Sequence, residues 1–460
     1  TKRTGLKESS IVIASGQHDL RYAEIPGRLQ VDLYNYLRRD YQLTQYKLDY
    51  VAGHFIGDTV KALQHHTETT PHTTCIESRN LVGLEENAYI CFEEIAHSSE
   101  MYKGGKKFKV TKVDHDAGCF SIEGIEQPNM SKLVRWGLAK DDVTPQDIFR
   151  MTNGDDDSRA TIAKYCVQDC NLVQQLFRKI DVLTGFIEMA SLCSVPLEFL
   201  VMRGQGIKLT SYIAKKCQEK GTLMPVIPKA PSNEAYEGAI VLAPKCGLYL
   251  DTPVACVDYS SLYPSSMISE NISHDTKVWS KEYDLSGNLI KETGIKKDGM
   301  FVYDNLDTYK YVDIEYDTYR WRKKATSSAM EKIVVGKKIC RFAQFPKNSK
   351  GESQYGIMPS VLKELLAARK ATRKQIATVT DPFMKNVLDK RQLSIKLTAN
   401  SLYGGTGAKT SSFYEQDCAA STTAVGRRLL TYAKTLLEKS YSNRVVETCG
   451  EKVMTNAEYV

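Results

Sequence analysis

The sequence predicts a multidomain chain that combines α+β and α/β folds. Its 460 residues are enough for three domains at roughly 150 residues each. With 42% hydrophobic and 25% charged residues, the composition is that of globular proteins and excludes collagen-like, coiled-coil and largely disordered chains. Segments of helical spacing occur beside segments of alternating polarity, and this mixture of periods predicts the mixed fold class.

The first part of the chain has helical spacing with a β-rich interruption. Apolar residues predict one helix around Val31–Leu37 and a second that begins within Tyr46–Val51. Short alternating segments, separated by Gly and Asp, predict a small β insertion near 78–123. Helical spacing returns over 141–180 and again over 207–220.

The middle of the chain contains a linker, short apolar runs and a polar region. Three prolines within 225–233 predict a linker. Apolar runs over 239–242 and 253–257 predict buried strands. Residues 277–350 are polar, lysine-rich and irregular, which predicts an insertion.

Two strong helical patterns follow, over 359–376 and 382–403. The polar turn between them is short, so the two helices are predicted to form an antiparallel hairpin.

Charge and cysteine usage narrow the class of protein. The net charge of +7 resides in 361–460, which has 16 basic and 9 acidic residues, and such a field favours phosphate-bearing ligands. A solvated, lysine-rich helix face explains the charge equally well. No apolar run approaches about 18 residues, so no membrane association is expected. Twelve cysteines without a CxxC pair predict a reduced, intracellular chain with no zinc ribbon.

The helical hairpin carries a candidate anion site. Arg369 and Arg373 are four residues apart and share a helix face, and the second helix presents three more polar residues at i, i+4 and i+7, namely Lys396, Asn400 and Tyr403. Guanidinium and ammonium groups in one cleft wall could hold triphosphate oxygens. An amphipathic hairpin with a basic outer face and Tyr403 in the core fits these residues equally well.

A second candidate site lies at Asp258. An apolar segment precedes this carboxylate, which could hold a divalent cation together with the backbone carbonyl of Tyr259. Taken alone, a single aspartate at the end of a strand is more often a turn former or a cap.

Together these segments resemble family B DNA polymerases. The string D-x-x-S-L-Y-P-S, beginning at Asp258, and the string K-x-x-x-N-S-x-Y-G, beginning at Lys396, are similar to the family motifs named A and B. Tyr236-Glu-Gly-Ala resembles the Y-x-G-G element that joins exonuclease and polymerase modules, with Ala in place of the second Gly. The resemblance covers the chain except for 61–134 and 277–350 and is closest to the delta-like branch, including polymerases of large DNA viruses of eukaryotes.

The resemblance implies catalytic roles for the first segment. Asp258 and the carbonyl of Tyr259 would bind two Mg²⁺ ions. The backbone N–H groups of Ser261 and Leu262 would face phosphate oxygens. Tyr263 would stack beneath the incoming sugar and exclude a 2′-OH by contact.

It also implies roles for the hairpin. Arg369, Arg373 and the catalytic Lys396 would neutralise the triphosphate and the leaving pyrophosphate. The family usually has Lys where this chain has Arg373, so the charge is kept while a planar fork replaces a point charge. The nascent base pair would be flanked by Asn400 and Tyr403, with room left by Gly404.

Three expected motifs of the family do not occur in the 460 residues. The second metal-binding carboxylate of the family lies in a Y-G-D-T-D-S hairpin, and this string is absent. We therefore expect this chain, as a fragment, to be inactive in nucleotide incorporation and its parent to be active. Tyr165 and Asp169 match the third exonuclease motif, whereas the first two should precede Thr1. Proofreading is thus expected of the parent only.

The resemblance implies the following domains: a partial RNase H-like 3′-5′ exonuclease domain over 1–200, a helical connector and linker over 201–235, an antiparallel-sheet palm over 236–358 and 405–460, and two-helix fingers over 359–404. The implied partners are primer-template DNA and dNTPs, with a sliding clamp and replication accessory proteins as candidates. Replication would take place in the nucleus or at a cytoplasmic viral site. Two alternatives remain: a protein-primed polymerase of the same family and a degenerate DNA-binding scaffold.

Overall fold

A computed structural model describes residues 5–13, 16–23, 25, 27–68, 71–139, 145–224, 226–227, 234–250, 253–324, 329–448 and 450–459. The chain divides into two compact units, Thr1–Phe186 and Ile187–Val460. Each unit mixes helices with antiparallel strands, in agreement with the mixed fold class. Among the described helices, none has the length and apolar character needed to cross a membrane.

The first unit begins with a β-hairpin and two short helices and ends in long helices. Its elements are β1 (Leu6–Ile13), β2 (Gly16–Ala23), α1 (Leu33–Asp40), α2 (Leu48–Phe55), β3 (Gly57–His66), β4 (Thr73–Ser78), β5 (Tyr89–Ile95), β6 (Ser99–Met101), a 3₁₀ turn (Tyr102–Gly105), β7 (Phe108–Asp114), β8 (Cys119–Glu123), β9 (Leu133–Ala139), α3 (Pro145–Thr152), α4 (Asp156–Ile180) and α5 (Val182–Cys193), which runs into the second unit. The helices predicted in this unit are thereby confirmed.

Strands β3 to β9 close into an antiparallel barrel. The strand order is β5-β7-β8-β4-β3-β9, and β9 pairs again with β5. Phe92, Phe120 and Trp136 fill its interior with at most 1% exposure. The predicted β insertion near 78–123 is therefore too short, because β3 and β9 belong to the same barrel. Polar residues on the outer face of these two strands, such as Lys61 and Arg135, obscured their alternation.

The second unit contains one main sheet and a group of long helices. Its elements are α6 (Leu197–Met202), α7 (Gln205–Glu219), β10 (Glu234–Ala235), α8 (Leu262–Ser269), β11 (Lys277–Asp284), β12 (Leu289–Gly294), β13 (Lys296–Lys297), β14 (Met300–Phe301), β15 (Lys310–Lys323), β16 (Met330–Gln344), α9 (Ile357–Thr378), α10 (Pro382–Gly407), α11 (Gln416–Ser440), β17 (Arg444–Thr448) and β18 (Glu451–Thr455).

The region predicted as an irregular insertion, 277–350, supplies most of the main sheet. The antiparallel order is β10-β15-β16-β11-β12. Along β15 and β16, buried residues such as Ile314 and Phe342 alternate with exposed or half-exposed charged ones. The prediction was wrong because charged residues of both signs, such as Asp313, Glu315 and Lys337, occupy exposed positions and hid the period of two.

The predicted helical hairpin is confirmed as α9 and α10, which pack against each other across a short turn. The two predicted buried strands, 239–242 and 253–257, are wrong. Both segments lack regular secondary structure and are largely exposed, with Val241 at 87% and Val257 at 69%. A strand needs a neighbour for its backbone groups, and no described segment pairs with either run. Most of the predicted linker, 225–233, lies outside the described residues.

Candidate active site

Two predicted site residues that lie far apart in sequence, Tyr263 and Tyr403, stack on each other. Their ring centroids are 4.4 Å apart and the ring planes differ by 25°. Tyr263 lies in the first turn of α8. This helix begins directly after Ser261, which takes a left-handed φ of 56°. Tyr403 lies near the end of α10. The stack therefore joins the segment after Asp258 to the helical hairpin.

Small residues on neighbouring elements allow this stack to be packed closely. A Cβ atom at Gly426 of α11 would lie 3.2 Å from Cε1 of Tyr263, and one at Gly407 would lie 2.1 Å from the hydroxyl of Tyr236. Burial raises the pKa of the Tyr403 phenol far above its usual value, and the nearby Tyr236 raises it further. Burial also raises the pKa of Tyr263. Both phenols therefore stay neutral at physiological pH.

A cationic cleft of about 490 Å³ lies between α9 and α10. Its walls include Arg369, Arg373 and Lys385, together with Asp389 and Gln392. The Arg369 guanidinium donates from Nε to Oε1 of Gln392 at 3.2 Å. The Gln392 amide donates in turn to Oδ1 of Asp389 at 3.1 Å. This chain of hydrogen bonds orients Arg369 while its two terminal nitrogens stay available for an anion.

The remaining hairpin residues lie on the exposed side of α10. Lys396 and Asn400 are exposed, whereas the residues that directly precede them, Ile395 and Ala399, are buried. A Cβ atom at Gly404 would meet no atom within 4 Å, so the space next to this residue is open. The lining of the cleft does not include Lys396, Asn400 or Gly404.

Asp258 has a different setting from the one predicted. It is exposed and lies in an irregular segment four residues before α8, instead of at the end of a buried strand. Within the described residues its carboxylate makes no hydrogen bond or ion pair. The described part of the chain also contains no group of three His, Cys, Asp or Glu side chains that could hold a metal ion. Asp258 is therefore a single, freely accessible carboxylate.

The two residues of the predicted exonuclease motif lie in the first unit. Tyr165 and Asp169 are both half-buried and are separated by about one turn on α4. Their roles remain a prediction.

Sequence reasoning missed the residues that anchor the segment Tyr236–Gly238. Arg427 of α11 donates from Nη1 to the backbone carbonyls of Glu237 at 3.1 Å and Gly238 at 3.0 Å. Thr423, one turn earlier, donates to the Glu237 carbonyl at 2.8 Å. The signal in the sequence was the polar pair Thr423 and Arg427, spaced i, i+4 beside Gly426.

It also missed a buried ionic network around Asp417 at the start of α11. Oδ1 of Asp417 lies 2.6 Å from Nζ of Lys338 and accepts a 2.9 Å hydrogen bond from Tyr316, and Oδ2 lies 3.2 Å from Nζ of Lys277. Although burial alone would raise it, Lys277 and Lys338 hold the pKa of this carboxyl well below its usual range. The network ties the main sheet to α11, and α11 in turn contacts the Tyr263 ring.

Comparison with known proteins identifies the class to which this fold and site belong. The family model described as DNA polymerase family B matches residues 195–459, which is more than half of the chain. The chain belongs to the family B DNA polymerases.

Individual relatives come from viruses and from eukaryotes. The chain is 52% identical to a DNA polymerase of Phaeocystis pouchetii virus over 458 residues, covering 99% of this chain and 43% of the relative. It is 38% identical to a DNA polymerase of Pyramimonas orientalis virus over 94% of this chain and 35% of the relative. A DNA polymerase delta catalytic subunit of Drosophila melanogaster is 33% identical over 78% of this chain and 28% of the relative.

The chain thus spans less than half the length of these relatives. Among solved structures, a family B DNA polymerase from the archaeon Pyrobaculum calidifontis matches with a TM-score of 0.43 and 22% identity, over 69% of this chain and 34% of that chain. No argument below rests on that match.

Proposed function

We propose that these 460 residues are part of a template-directed DNA polymerase that adds deoxynucleotides to a primer 3′-OH during DNA replication. Membership of family B supports the reaction class. The observation that carries the proposal is the stack of Tyr263 on Tyr403, because it brings the two motif-bearing segments into contact. The matches to delta catalytic subunits do not favour the protein-primed alternative.

The stack suits a site that selects the sugar. The Tyr263 ring is stacked on Tyr403 and lies close to Gly426 of α11, so it has little freedom to move. An incoming nucleotide with its sugar above the Tyr263 ring would meet that ring at the position of a 2′-OH. Discrimination against ribonucleotides then follows from contact, without a hydrogen bond to the sugar.

The first turn of α8 and the cationic face would hold the triphosphate. Backbone N–H groups at Ser261 and Leu262 stand at the start of a helix, where they have no partner in the helix itself. Arg369, Arg373 and Lys396 would bind the phosphate oxygens and neutralise the charge that develops on the leaving pyrophosphate. Asn400, Tyr403 and Gly404 would lie beside the nascent base pair.

Magnesium would be bound in part by Asp258 and by the backbone carbonyl of Tyr259. When bound, such ions lower the pKa of the attacking hydroxyl and stabilise the charge on the phosphates. The described residues provide one carboxylate there, which does not complete a site for two dications. We therefore expect no nucleotide incorporation by the 460-residue chain alone.

The finer domain assignment is part of the same proposal. Residues 1–200 would be a partial RNase H-like exonuclease domain, with Tyr165 and Asp169 contributing to proofreading in the longer protein. Residues 201–235 would connect it to the palm, formed by 236–358 and 405–460, and 359–404 would be the fingers. Primer-template DNA, dNTPs and replication accessory proteins such as a sliding clamp would be the partners, at a nuclear or cytoplasmic site inside the cell.

Primer extension by a full-length protein that carries these 460 residues tests the proposal. We expect Tyr263→Ala to reduce the preference for dNTP over rNTP at least tenfold, which corresponds to about 1.4 kcal/mol in relative transition-state binding. Tyr263→Phe keeps the ring and should keep the preference. An unchanged preference in Tyr263→Ala, with DNA synthesis intact, would contradict the assignment of Tyr263.

A further inference from the structure

The main sheet extends into a two-stranded segment that its other described strands reach only at the base. We call it the ribbon, defined as Tyr319–Lys323 of β15 and Met330–Val334 of β16. The pairing of β11 with β16 ends at Gly336, and β10 pairs with the ribbon at Tyr319 and Arg320. Beyond these positions, and within the described residues, β15 and β16 pair with each other alone as far as Lys323 and Met330.

The ribbon is strongly basic. With the adjoining Lys324 it carries five cationic side chains, at 320, 322, 323, 324 and 332, against one carboxylate, Glu331. Glu331 is already paired with Arg322, at 2.7 Å between Oε1 and Nη2. The charge that is left uncompensated favours a polyanion as ligand.

The ribbon also exposes a tryptophan. Trp321 is 52% exposed, whereas Trp136 and Trp279 are 0% and 5% exposed. A large aromatic ring in water at a projecting tip costs hydrophobic free energy, so its position needs an explanation other than packing.

Strand geometry puts the aromatic and basic groups on one face. Tyr319, Trp321 and Lys323 alternate along β15 and therefore point to the same side. Lys332 lies directly opposite Trp321 on β16, and its ammonium group lies 3.9 Å from the centre of the Tyr319 ring. This face combines rings that can stack with cations that can contact phosphates.

The base of the ribbon is fixed close to the proposed nucleotide site. Tyr319 donates from its hydroxyl to Oε2 of Glu237 at 3.0 Å, and Lys332 donates to the carbonyl of Tyr236 at 3.5 Å. Tyr236 is next to Tyr403, a member of the aromatic stack. Trp321 is two residues beyond Tyr319, or about 7 Å along the strand.

We propose that this face of the ribbon binds single-stranded DNA, with an unpaired base stacked on Trp321 and the backbone phosphates on Lys323 and Lys332. Stacking on an aromatic ring requires a base whose face is free, which a single strand offers and a duplex interior does not. The DNA-binding part of the inference stands on the ribbon itself, and only the idea that this strand is the polymerase's template rests on the proposed function.

Equilibrium binding of a fluorescently labelled oligothymidylate of about 20 nucleotides to the 460-residue chain tests the inference. We expect Trp321→Ala to weaken binding about tenfold, within the range for loss of one stacked base. The double variant Lys323→Glu/Lys332→Glu should weaken binding further and reduce its salt dependence. The matched control, Lys347→Glu/Lys350→Glu, makes the same charge change at exposed lysines outside the ribbon and should bind normally.

Tryptophan emission gives a second, independent measurement. Because Trp321 is the exposed member of the three tryptophans, the oligonucleotide should quench the emission of the unaltered chain, and this quenching should disappear in Trp321→Phe. Unaltered circular dichroism of each variant would show that it is folded.

Four results would overturn the inference. The first is equal oligonucleotide binding by Trp321→Ala and the unaltered chain, and the second is a loss of binding in the lysine control as large as that in the ribbon variants. The third is a loss of duplex binding in Trp321→Ala as large as that for the single strand. The fourth is displacement of the labelled oligonucleotide by polyglutamate as readily as by unlabelled oligothymidylate. None of these measurements involves nucleotide addition, so the ribbon and the proposed function can fail separately.

Discussion

Replacing Asp417 with asparagine tests whether the buried ionic network holds the main sheet and α11 together. The Asp417 side chain is 6% exposed and contacts both Lys277 and Lys338. Asparagine keeps the shape but leaves the largely buried ammonium group of Lys338 without its counter-charge, while Lys277 keeps Glu415 at 2.9 Å. Removing one partner of a buried ion pair costs about 3–5 kcal/mol, and we expect a loss of that size.

A neighbouring ion pair provides the matched control. Lys337, next to Lys338, pairs with Glu315 at 2.7 Å, but these two side chains are 60% and 52% exposed. Exposed pairs contribute about 0–1 kcal/mol, so Glu315→Gln should change stability little. Stability is measured from the hydrogen exchange of peptides from β16 and α11 at increasing urea concentration. A measurement local to these elements is needed because the two units of the chain need not unfold together.

A second substitution separates loss of charge balance from general disruption. Adding Lys338→Met to Asp417→Asn removes the uncompensated charge and should recover part of the lost stability. The reasoning would be refuted if Asp417→Asn and Glu315→Gln had equal effects, or if the added Lys338→Met caused a further loss.

Two further predictions concern the cleft and the response to pH. Gln392→Ala removes the acceptor that orients Arg369 and should weaken the binding of inorganic tripolyphosphate about fivefold, which corresponds to about 1 kcal/mol for one hydrogen bond. The affinity is measured by calorimetry, with Gln375→Ala on the exposed side of α9 as the control. Equal affinities of the unaltered chain and both variants would contradict the prediction. Burial lowers the pKa of His274, whose Nε2 lies 3.0 Å from the Phe413 carbonyl oxygen. The unfolded chain therefore binds a proton at this histidine more readily than the folded chain does. The free energy of unfolding should fall as the pH drops through about 6.5, the usual pKa of histidine. The midpoint of thermal unfolding should therefore fall less between pH 7.5 and pH 5.5 in His274→Gln than in the unaltered chain, and identical falls would show that His274 does not contribute.

Local sequence patterns were sufficient to predict those helices and strands whose own residues determine their conformation. The spacing of apolar residues predicted α9 and α10, and the short turn between them predicted their antiparallel pairing. The period of two predicted β7, whose buried and half-buried residues alternate.

Local patterns failed where pairing or burial depends on distant residues. The apolar run before Asp258 has the composition of a strand, but no described segment pairs with it. The strands β15 and β16 were missed because charged residues of both signs, such as Asp313, Glu315 and Lys337, occupy exposed positions. The partners of Asp417 come from residues 277, 316 and 338, and no spacing within the sequence connects these positions.

The candidate site was predicted to a similarly limited extent. Helical geometry placed Arg369 and Arg373 on one face, and both line the same cleft. The contact between Tyr263 and Tyr403 could not be derived from spacing and was not predicted. The assignment of catalytic and metal-binding roles to Asp258 and Lys396 remains a prediction.

Photo-crosslinking of the 460-residue chain with 8-azido-dATP tests most directly whether a deoxynucleotide binds where Tyr263 meets α10. Peptide mapping should find the label, displaceable by unlabelled dATP, in the segment from Asn400 to Gly404 or beside Tyr263. Displaceable label found only in the first unit, with the second unit unmodified, would contradict the account.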